Sequence, residues 1–159
     1  MTAITPHENS ATGDGGSLPA RPGPRPQTTP RAPHIQQDQN ASAGMQAMLA
    51  QRVLALPEVE HPAERAIWLR DEIAAAPGDV FPGNREIGHF HPWDGSLHIV
   101  LDPELAEAAV TAGWAEVHPV ALAGLAPRNR VMLYGPRNEP EADTIFSLIA
   151  AAVRRAAGH

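Results

Sequence analysis

The chain of 159 residues carries a formal net charge of −6, and all 12 of its basic residues are arginine. An acidic chain without a basic stripe is a poor partner for nucleic acid or anionic lipid, so we expect it to bind neither. The absence of cysteine excludes disulfides, thiolate nucleophiles and zinc–thiolate sites.

The sequence also lacks the marks of membrane insertion and secretion. No apolar run approaches the roughly 18 residues that a membrane-spanning helix requires. The N-terminal stretch MTAITPHENSATGDGG lacks both the basic region and the apolar run of a signal peptide. We therefore expect a cytoplasmic protein without membrane contact.

Residues 1–44 form a segment of distinct composition. They hold seven prolines among Gly, Ser, Thr, Gln and Asn, with almost no apolar residues. Such a segment buries too little surface to offset its ordering entropy, so we predict a disordered tail before a single domain at 45–159. Its portion RPGPRPQTTPRAP suits polyproline II and a protein partner that reads proline, although a solvated tail is the simpler interpretation.

Two helices are predicted at the start of this domain. Apolar residues recur at helical spacing between Met45 and Leu56, which predicts a helix that ends before Pro57. A second helix is expected from Pro62, whose fixed φ suits a first turn, to about Ala76. Its buried side would carry Ile67, Trp68 and Ile73.

Strand and cap signals follow in the second half of the chain. Runs rich in apolar and β-branched residues predict four strands, at about 86–91, 96–101, 114–120 and 130–135. Asp102 as N-cap and Gly113 as stop bound a helix, and a capping box of Asn138 and Glu141 begins the last helix, 139–156. The order ααββαββα indicates the α+β class, with about four helices packed on a small, mostly antiparallel sheet of about four strands.

Histidines concentrate on these predicted strands. His89 and His91 lie two residues apart, so an extended strand presents both imidazoles on one face. The turn pair Asp94-Gly95 would return the chain so that His98 pairs back near His91. The first two strands therefore offer three imidazoles to one patch.

Glu116 and His118 share a face of the third strand by the same spacing and can join that patch. Neutral imidazoles with a carboxylate can hold a divalent metal such as zinc, iron or manganese, with ligands drawn from His89, His91, His98 and His118. The same groups serve equally as a metal-free acid–base set, because imidazole titrates near neutral pH. Half-exposed strand histidines without a site are the third alternative.

Other residues bear on the substrate and the cofactor. The sequence contains no GxGxxG, P-loop or GxSxG pattern, so we expect no dinucleotide binding, phosphoryl transfer or hydrolysis by a serine elbow. Trp93, in the turn, can wall a pocket for an aromatic ligand. Arg85 and His98 are further candidates for contact with a small-molecule substrate.

Two runs of residues resemble the luciferase-like domain family, which is named after fungal luciferase. They are EIGHFH at 86–91 and AEVH at 115–118, and an apolar strand and a helix that ends at Gly113 lie between them. The strand RVMLY and the helix EPEADTIFSLIAAAV fit the closing unit of that family. The resemblance therefore covers about residues 80–155.

The resemblance implies an enzyme. Fungal luciferase oxygenates a hydroxylated pyrone with molecular oxygen and without a known organic cofactor, so we expect no organic cofactor here. By this resemblance, His89, His91, Glu116 and His118 are expected to be catalytic on a small aromatic or enol-bearing substrate. The alternatives are a metal-binding domain that uses the same histidines and a non-catalytic module that recruits a protein partner.

Overall fold

The computed structural model describes residues 17–60, 65–73, 80–81 and 85–159. Its helices are α1 (Ala43–Leu54), α2 (Pro103–Thr111), α3 (Pro119–Leu122) and α4 (Glu139–Ala156). Its strands are β1 (Val59–Glu60), β2 (Ala66–Leu69), β3 (Glu86–Phe90), β4 (Leu97–Val100), β5 (Ala115–Val117) and β6 (Arg130–Leu133). Within the described residues, no helix is both long enough and apolar enough to span a membrane.

The described strands form one sheet in the order β1-β2-β3-β4-β6-β5, and every neighbouring pair is antiparallel. A tight turn joins β3 to β4, and Gly95 in that turn adopts a φ of +81°, a conformation that favours glycine. This architecture confirms the predicted α+β class and the antiparallel sheet. The sheet has six strands, whereas the sequence predicted about four.

The helix predicted from Pro62 to Ala76 is wrong where the structure describes it. The strand β2 lies in this region and pairs antiparallel with β1, which precedes it. Ile67 and Leu69 are fully buried, whereas Trp68 between them is half-buried. That alternation has the period of a strand, and pairing with β3 outweighs the helical spacing of the apolar residues. The remainder of the predicted helix lies outside the described residues.

The N-caps predicted for α2 and α4 are confirmed, whereas the predicted capping box of Asn138 and Glu141 is not closed. Asp102 accepts hydrogen bonds from two backbone amides in the first turn of α2, at 2.9 and 3.3 Å. Asn138 accepts one from the amide of Glu141 at 3.0 Å. The Glu141 carboxylate accepts from the backbone N–H of Arg137 at 2.9 Å instead of closing a box with Asn138. These caps satisfy free amides and fix where both helices begin.

The two faces of the sheet differ in character. One face packs against α1 and α4 and forms the apolar core, to which the strands contribute Ile67, Ile87, Leu97, Ile99, Val131 and Leu133. The other face carries residues that alternate with these, among them His98 and Met132. Both are buried, because a segment before α1 covers this second face.

That covering segment is residues 17–42, named the N-terminal segment below. His34 stacks on the ring of His98 with centroids 5.1 Å apart, and Gln36 accepts a hydrogen bond from the Gly135 amide at 2.9 Å. The sequence predicted a disordered tail at 1–44, of which residues 17–42 make these contacts and residues 1–16 lie outside the described residues. Hydrogen bonds and ring stacking hold the segment, rather than the burial of apolar side chains. Because its composition is poor in apolar residues, the sequence predicted disorder. The division of the chain at residue 44 stays a prediction.

Gly88 lies where β3 and β4 are in close contact. A Cβ atom at this position would lie 2.6 Å from the His98 carbonyl oxygen and 3.3 Å from Ile99 Cβ. We expect Gly88→Ala to lower the free energy of unfolding by about 1–3 kcal/mol, as overpacking does, in urea denaturation. Gly44→Ala is the matched control, because a Cβ atom there has nothing within 4 Å and α1 favours alanine. Equal stability of the two variants would contradict this account of Gly88.

Candidate functional site

Five histidines gather on the second face of the sheet, beneath the N-terminal segment. They are His34, His89, His91, His98 and His118, and they are called the histidine cluster below. Contacting rings in the cluster have centroids between 4.3 and 5.5 Å apart. His89 and His98 are direct partners across β3 and β4. The structure thus brings together the four histidines that the sequence placed in one patch and adds His34.

A continuous chain of ring nitrogens and carboxylate oxygens at hydrogen-bonding distance runs through the cluster from one carboxylate to another. Glu86 Oε1 lies 2.6 Å from His89 Nδ1, and His89 Nε2 lies 3.3 Å from His98 Nδ1. His98 Nε2 lies 2.9 Å from His34 Nδ1, and His34 Nε2 lies 2.9 Å from Glu116 Oε2. Each ring nitrogen of these three imidazoles therefore lies within 3.3 Å of another polar atom, and a carboxylate closes each end of the chain.

Glu86 reaches His89 because strand β3 is irregular. A regular strand would put residues three apart on opposite faces. The register between β2 and β3 shifts at this point and leaves Ile87 as an extra residue in β3. Ile87 is fully buried in the apolar core, and the Glu86 carboxylate bonds to His89 on the other face. The bulge therefore aims this carboxylate at the cluster.

His91 is held by a second, separate set of hydrogen bonds. Its Nδ1 lies 2.8 Å from Ser96 Oγ, and Ser96 donates its hydroxyl proton to Asp94 Oδ1 at 2.6 Å. Asp94 is fully buried and also accepts from the backbone N–H of Gln36 at 2.9 Å. This carboxylate therefore ties the β3–β4 turn, the N-terminal segment and His91 together.

Glu116 is surrounded by hydrogen-bond donors. His34 and Thr28 each lie 2.9 Å from its Oε2, and the Tyr134 hydroxyl donates to its Oε1 at 3.1 Å. Burial alone would raise the pKa of Glu116, but these hydrogen bonds outweigh it and hold that pKa below its ordinary value. Burial raises the pKa of Tyr134 to about 12, so its hydroxyl keeps the proton that it donates. Glu116 is thus an anion at neutral pH.

Burial keeps the inner imidazoles neutral. Burial, and then repulsion from His91 and other neighbouring histidines, lowers the pKa of His98 far below its ordinary value. Burial also lowers the pKa of His91 to about 4, although Asp94 opposes this shift. The pKa of His118 is lowered to about 4 as well, mainly by burial. A neutral imidazole has one free lone pair, which can accept a proton or bind a metal ion.

The position of His118 fixes which of its nitrogens carries the proton. His118 is the N-cap of α3, and its Nδ1 accepts a hydrogen bond from the Val120 amide at 3.0 Å. When Nδ1 accepts, the proton of a neutral imidazole resides on Nε2. The His118 ring lies beside those of His98 and His34, at 4.3 and 5.5 Å between centroids. It therefore offers a hydrogen-bond donor and not a lone pair.

The two other residues predicted to contact substrate lie in different places. Trp93 stacks on His91 with centroids 5.2 Å apart and is 55% exposed, so it forms an aromatic rim beside the cluster. Arg85 bonds instead to Glu60 at 3.0 Å and to Asp71 at 2.8 Å. Among the contacts described for Arg85, none is with the histidine cluster. A role for Arg85 in substrate binding stays a prediction.

Apart from Glu116, the sequence did not reveal the residues that support the cluster. His34 lies beside prolines in a segment predicted to be disordered, and nothing around it marked it as a site residue. Glu86 is three residues from His89, and only the bulge brings the two together. Asp94 and Ser96 did carry a signal, the run Asp-Gly-Ser, but it predicted only the turn.

The cluster contains two sets of nitrogens that are close enough to share one metal ion. One nitrogen from each of His89, His91 and His98 lies within 4.8 Å of the others, and the same holds for His34, His98 and His118. Imidazole nitrogen suits zinc, iron, copper and nickel. The residues present can therefore hold a divalent metal ion, as the sequence had suggested.

Comparisons with known proteins match the same part of the chain. Residues 84–152 match the luciferase domain family. The luciferase of Armillaria mellea is 31% identical over 160 residues, which cover 86% of this chain and 60% of that protein. The luciferase of Neonothopanus nambi is 35% identical over 72 residues, which cover 43% of this chain and 27% of that protein. No solved structure matches the chain.

The matches cover only part of the length of each relative. The chain spans about 60% of the length of the Armillaria relatives that it matches. The family match includes every member of the cluster except His34, together with Glu86 and Glu116. The matched residues and the candidate site therefore coincide, and the N-terminal segment adds its histidine from outside the family match.

Proposed function

Because residues 84–152 form a domain of the luciferase family, we propose that this protein is an oxygenase that joins molecular oxygen to a small enol-bearing or aromatic substrate. The observation that carries the proposal is the convergence of five imidazoles and two carboxylates on one face of the sheet. No organic cofactor enters the proposal. Light emission does not enter it either, since the chain spans only part of its luciferase relatives.

The first requirement of this reaction is removal of the enol proton. The resulting enolate carbon gives electrons to molecular oxygen and forms a C–O bond, so that carbon is oxidised and oxygen is reduced to a peroxide. The lone pairs of His89, His91 and His98 are the proton acceptors of the cluster. The Glu86 carboxylate, 2.6 Å from His89, stabilises the imidazolium that forms when His89 takes the proton.

The second requirement is stabilisation of negative charge on oxygen. His118 meets it, because its Nε2–H is a donor fixed by the hydrogen bond from the Val120 amide to Nδ1. A donor held in place before the reaction stabilises a developing oxyanion without further reorganisation. The same donor can bind the enolate oxygen or the peroxide. His118 is thus the electrophilic partner of the proton acceptors.

The rim of the cluster suits a flat substrate. Trp93 has an exposed face and lies parallel to His91, with only 8° between the ring planes. A flat conjugated ring can stack on such a surface, with an aromatic contact worth about 0.5–1.5 kcal/mol beyond area burial. Aromatic or conjugated enols therefore fit the site better than aliphatic ones.

Oxygen consumption tests the proposal directly. The purified protein is mixed in an oxygen-electrode cell with a panel of hydroxylated 2-pyrones and other conjugated enols. We expect uptake of one molecule of oxygen per molecule of one of these substrates, and loss of that uptake in His89→Ala. His159→Ala, at the C-terminus, is the matched control and should keep full activity. Absence of uptake across the panel, or equal uptake in His89→Ala, would overturn the proposal.

A further inference from the structure

We propose that His89, His91 and His98 form a binding site for one divalent transition-metal ion. The inference deepens the proposed function, and rests on it only for what the ion does in the reaction. Binding itself is a property of the resting protein. The positions of the protons on the three imidazoles decide whether they can bind an ion, because a metal ligand needs a nitrogen with a free lone pair.

The tautomer of His91 follows from Ser96. The single hydroxyl proton of Ser96 goes to Asp94 Oδ1 at 2.6 Å, so Ser96 Oγ must accept at its contact with His91. His91 Nδ1 therefore carries the proton, and the lone pair lies on His91 Nε2. The hydrogen bonds of the buried turn thus leave the lone pair of His91 Nε2 available to bind an ion.

The tautomers of His89 and His98 follow from the two ends of the hydrogen-bond chain. The Glu86 carboxylate accepts from His89 Nδ1–H, which leaves the lone pair of His89 on Nε2. At the other end, Glu116 accepts from His34 Nε2–H, so His34 Nδ1 accepts from His98 Nε2–H. The lone pair of His98 is therefore on Nδ1.

These assignments leave two lone pairs facing each other. His89 Nε2 and His98 Nδ1 lie 3.3 Å apart, and neither carries a proton when both rings are neutral. Two acceptors at this distance, one of them on the buried His98, repel each other unless a cation lies between them. Two nitrogens bound to one tetrahedral zinc ion, at about 2.05 Å from the metal, are about 3.3 Å apart. The spacing is therefore the one that two ligands of a single ion adopt.

Each of the three ligands is also backed by a carboxylate. Glu86 holds His89 directly, Asp94 holds His91 through Ser96, and Glu116 holds His98 through His34. Such carboxylate–histidine pairs orient metal ligands and make them more basic. Three neutral ligands with three acidic supports also offset the charge of a divalent ion.

The other set of three histidines does not offer three lone pairs. His118 Nδ1 accepts the Val120 amide, so His118 Nε2 carries a proton. His34 has both nitrogens occupied, one by Glu116 and one by His98. An ion in that set would have to displace hydrogen bonds that the first set retains. The geometry therefore favours His89, His91 and His98.

The donor set indicates the class of metal. Three imidazole nitrogens without thiolate suit zinc, iron(II), cobalt(II), nickel(II) or copper(II) rather than calcium or magnesium. Three protein ligands leave a coordination position for substrate, as in catalytic rather than structural sites. An ion held by these three lone pairs would replace the imidazoles as the group that removes the enol proton, because it would make the enol hydroxyl more acidic, so that the proton leaves to solvent.

Titration of the chelator-treated protein with Co²⁺ tests the inference, because cobalt absorption reports ligand number and geometry. We expect saturation at one ion per chain and an affinity at least about 100-fold lower in His91→Ala and His89→Ala. His118→Asn and His159→Ala should bind as the original chain does. Where His91→Ala does not fold, as judged by circular dichroism, His89→Ala decides.

Four results would overturn the inference. They are no saturable binding, binding of several ions with equal affinity, undiminished binding in a folded His89→Ala, and loss of binding in His118→Asn. A failure of the metal-site inference can be distinguished from a failure of the proposed reaction, because metal binding is measured without substrate. Oxygen uptake that survives complete metal removal would remove the ion from the reaction and leave the oxygenase proposal standing.

Discussion

Replacing His118 by asparagine is expected to lower substrate-dependent oxygen uptake by about 10²–10³-fold, the usual cost of losing one donor to a developing oxyanion. Asparagine keeps the other duty of this position, because its side-chain oxygen can accept the Val120 amide as His118 Nδ1 does. Its side-chain NH₂ is a donor, but it is bonded directly to Cγ and does not reach the position from which the Nε2–H donates. The midpoint of urea denaturation should therefore stay close to that of the original chain.

The variant His118→Ala separates the two duties. It loses both the donor and the cap, so we expect the same loss of rate together with about 1 kcal/mol less stability. Measuring rate and stability on the same samples shows which duty each variant has lost. Normal turnover in His118→Asn would mean that His118 only caps α3 and takes no part in the chemistry.

The parts of the fold that were predictable have strong local signals. The helices α2 and α4 have side-chain caps next to them in sequence, and caps act over three or four residues. The strands β3 and β4 flank an Asp-Gly turn, which specifies a hairpin locally. His89, His91 and His98 follow from this hairpin, because the period of a strand decides which side chains share a face.

The parts that were missed depend on distant residues. The strand β2 exists because β3 pairs with it, and its own residues also fit a helical pattern. The bulge that turns Glu86 toward His89 is a property of that same pairing. His34 joins the cluster through a segment whose partners lie 64 and 82 residues away in the chain. No local pattern contains that information.

The imidazoles of the candidate site and the carboxylates that support them therefore differ in how well the sequence predicts them. The imidazoles of His89, His91 and His98 can be placed from the two-residue period of a strand. The carboxylates that decide which ring nitrogen carries each proton come from the bulge in β3, the β3–β4 turn and strand β5. Proton positions decide whether an imidazole is a ligand, a base or a donor. For this reason the location of the site is easier to predict from the sequence than its chemistry, and His34 is the residue on which the chemistry of His98 depends.

Replacing His34 by phenylalanine is expected to lower the affinity for Co²⁺ by about 10–100-fold, the usual cost of losing the outer partner of a metal ligand. Phenylalanine keeps a ring that can stack on His98, as His34 does at 5.1 Å between centroids. It removes the acceptor of His98 Nε2–H, so nothing holds the lone pair on His98 Nδ1. Titration of the chelator-treated variant with Co²⁺ measures the effect.

Thr28→Val is the control that distinguishes this role from general support of Glu116. Thr28 donates to the same carboxylate oxygen as His34, at the same distance of 2.9 Å, but it does not touch His98. Both variants should lose stability, because each removes a donor from a partly buried carboxylate, at a cost of about 1–3 kcal/mol. Only His34→Phe should lose metal affinity. Equal Co²⁺ affinities in the two variants would contradict this role. His34 would then only fill space above the sheet, and the hydrogen bond that it accepts from His98 would have no effect on metal binding.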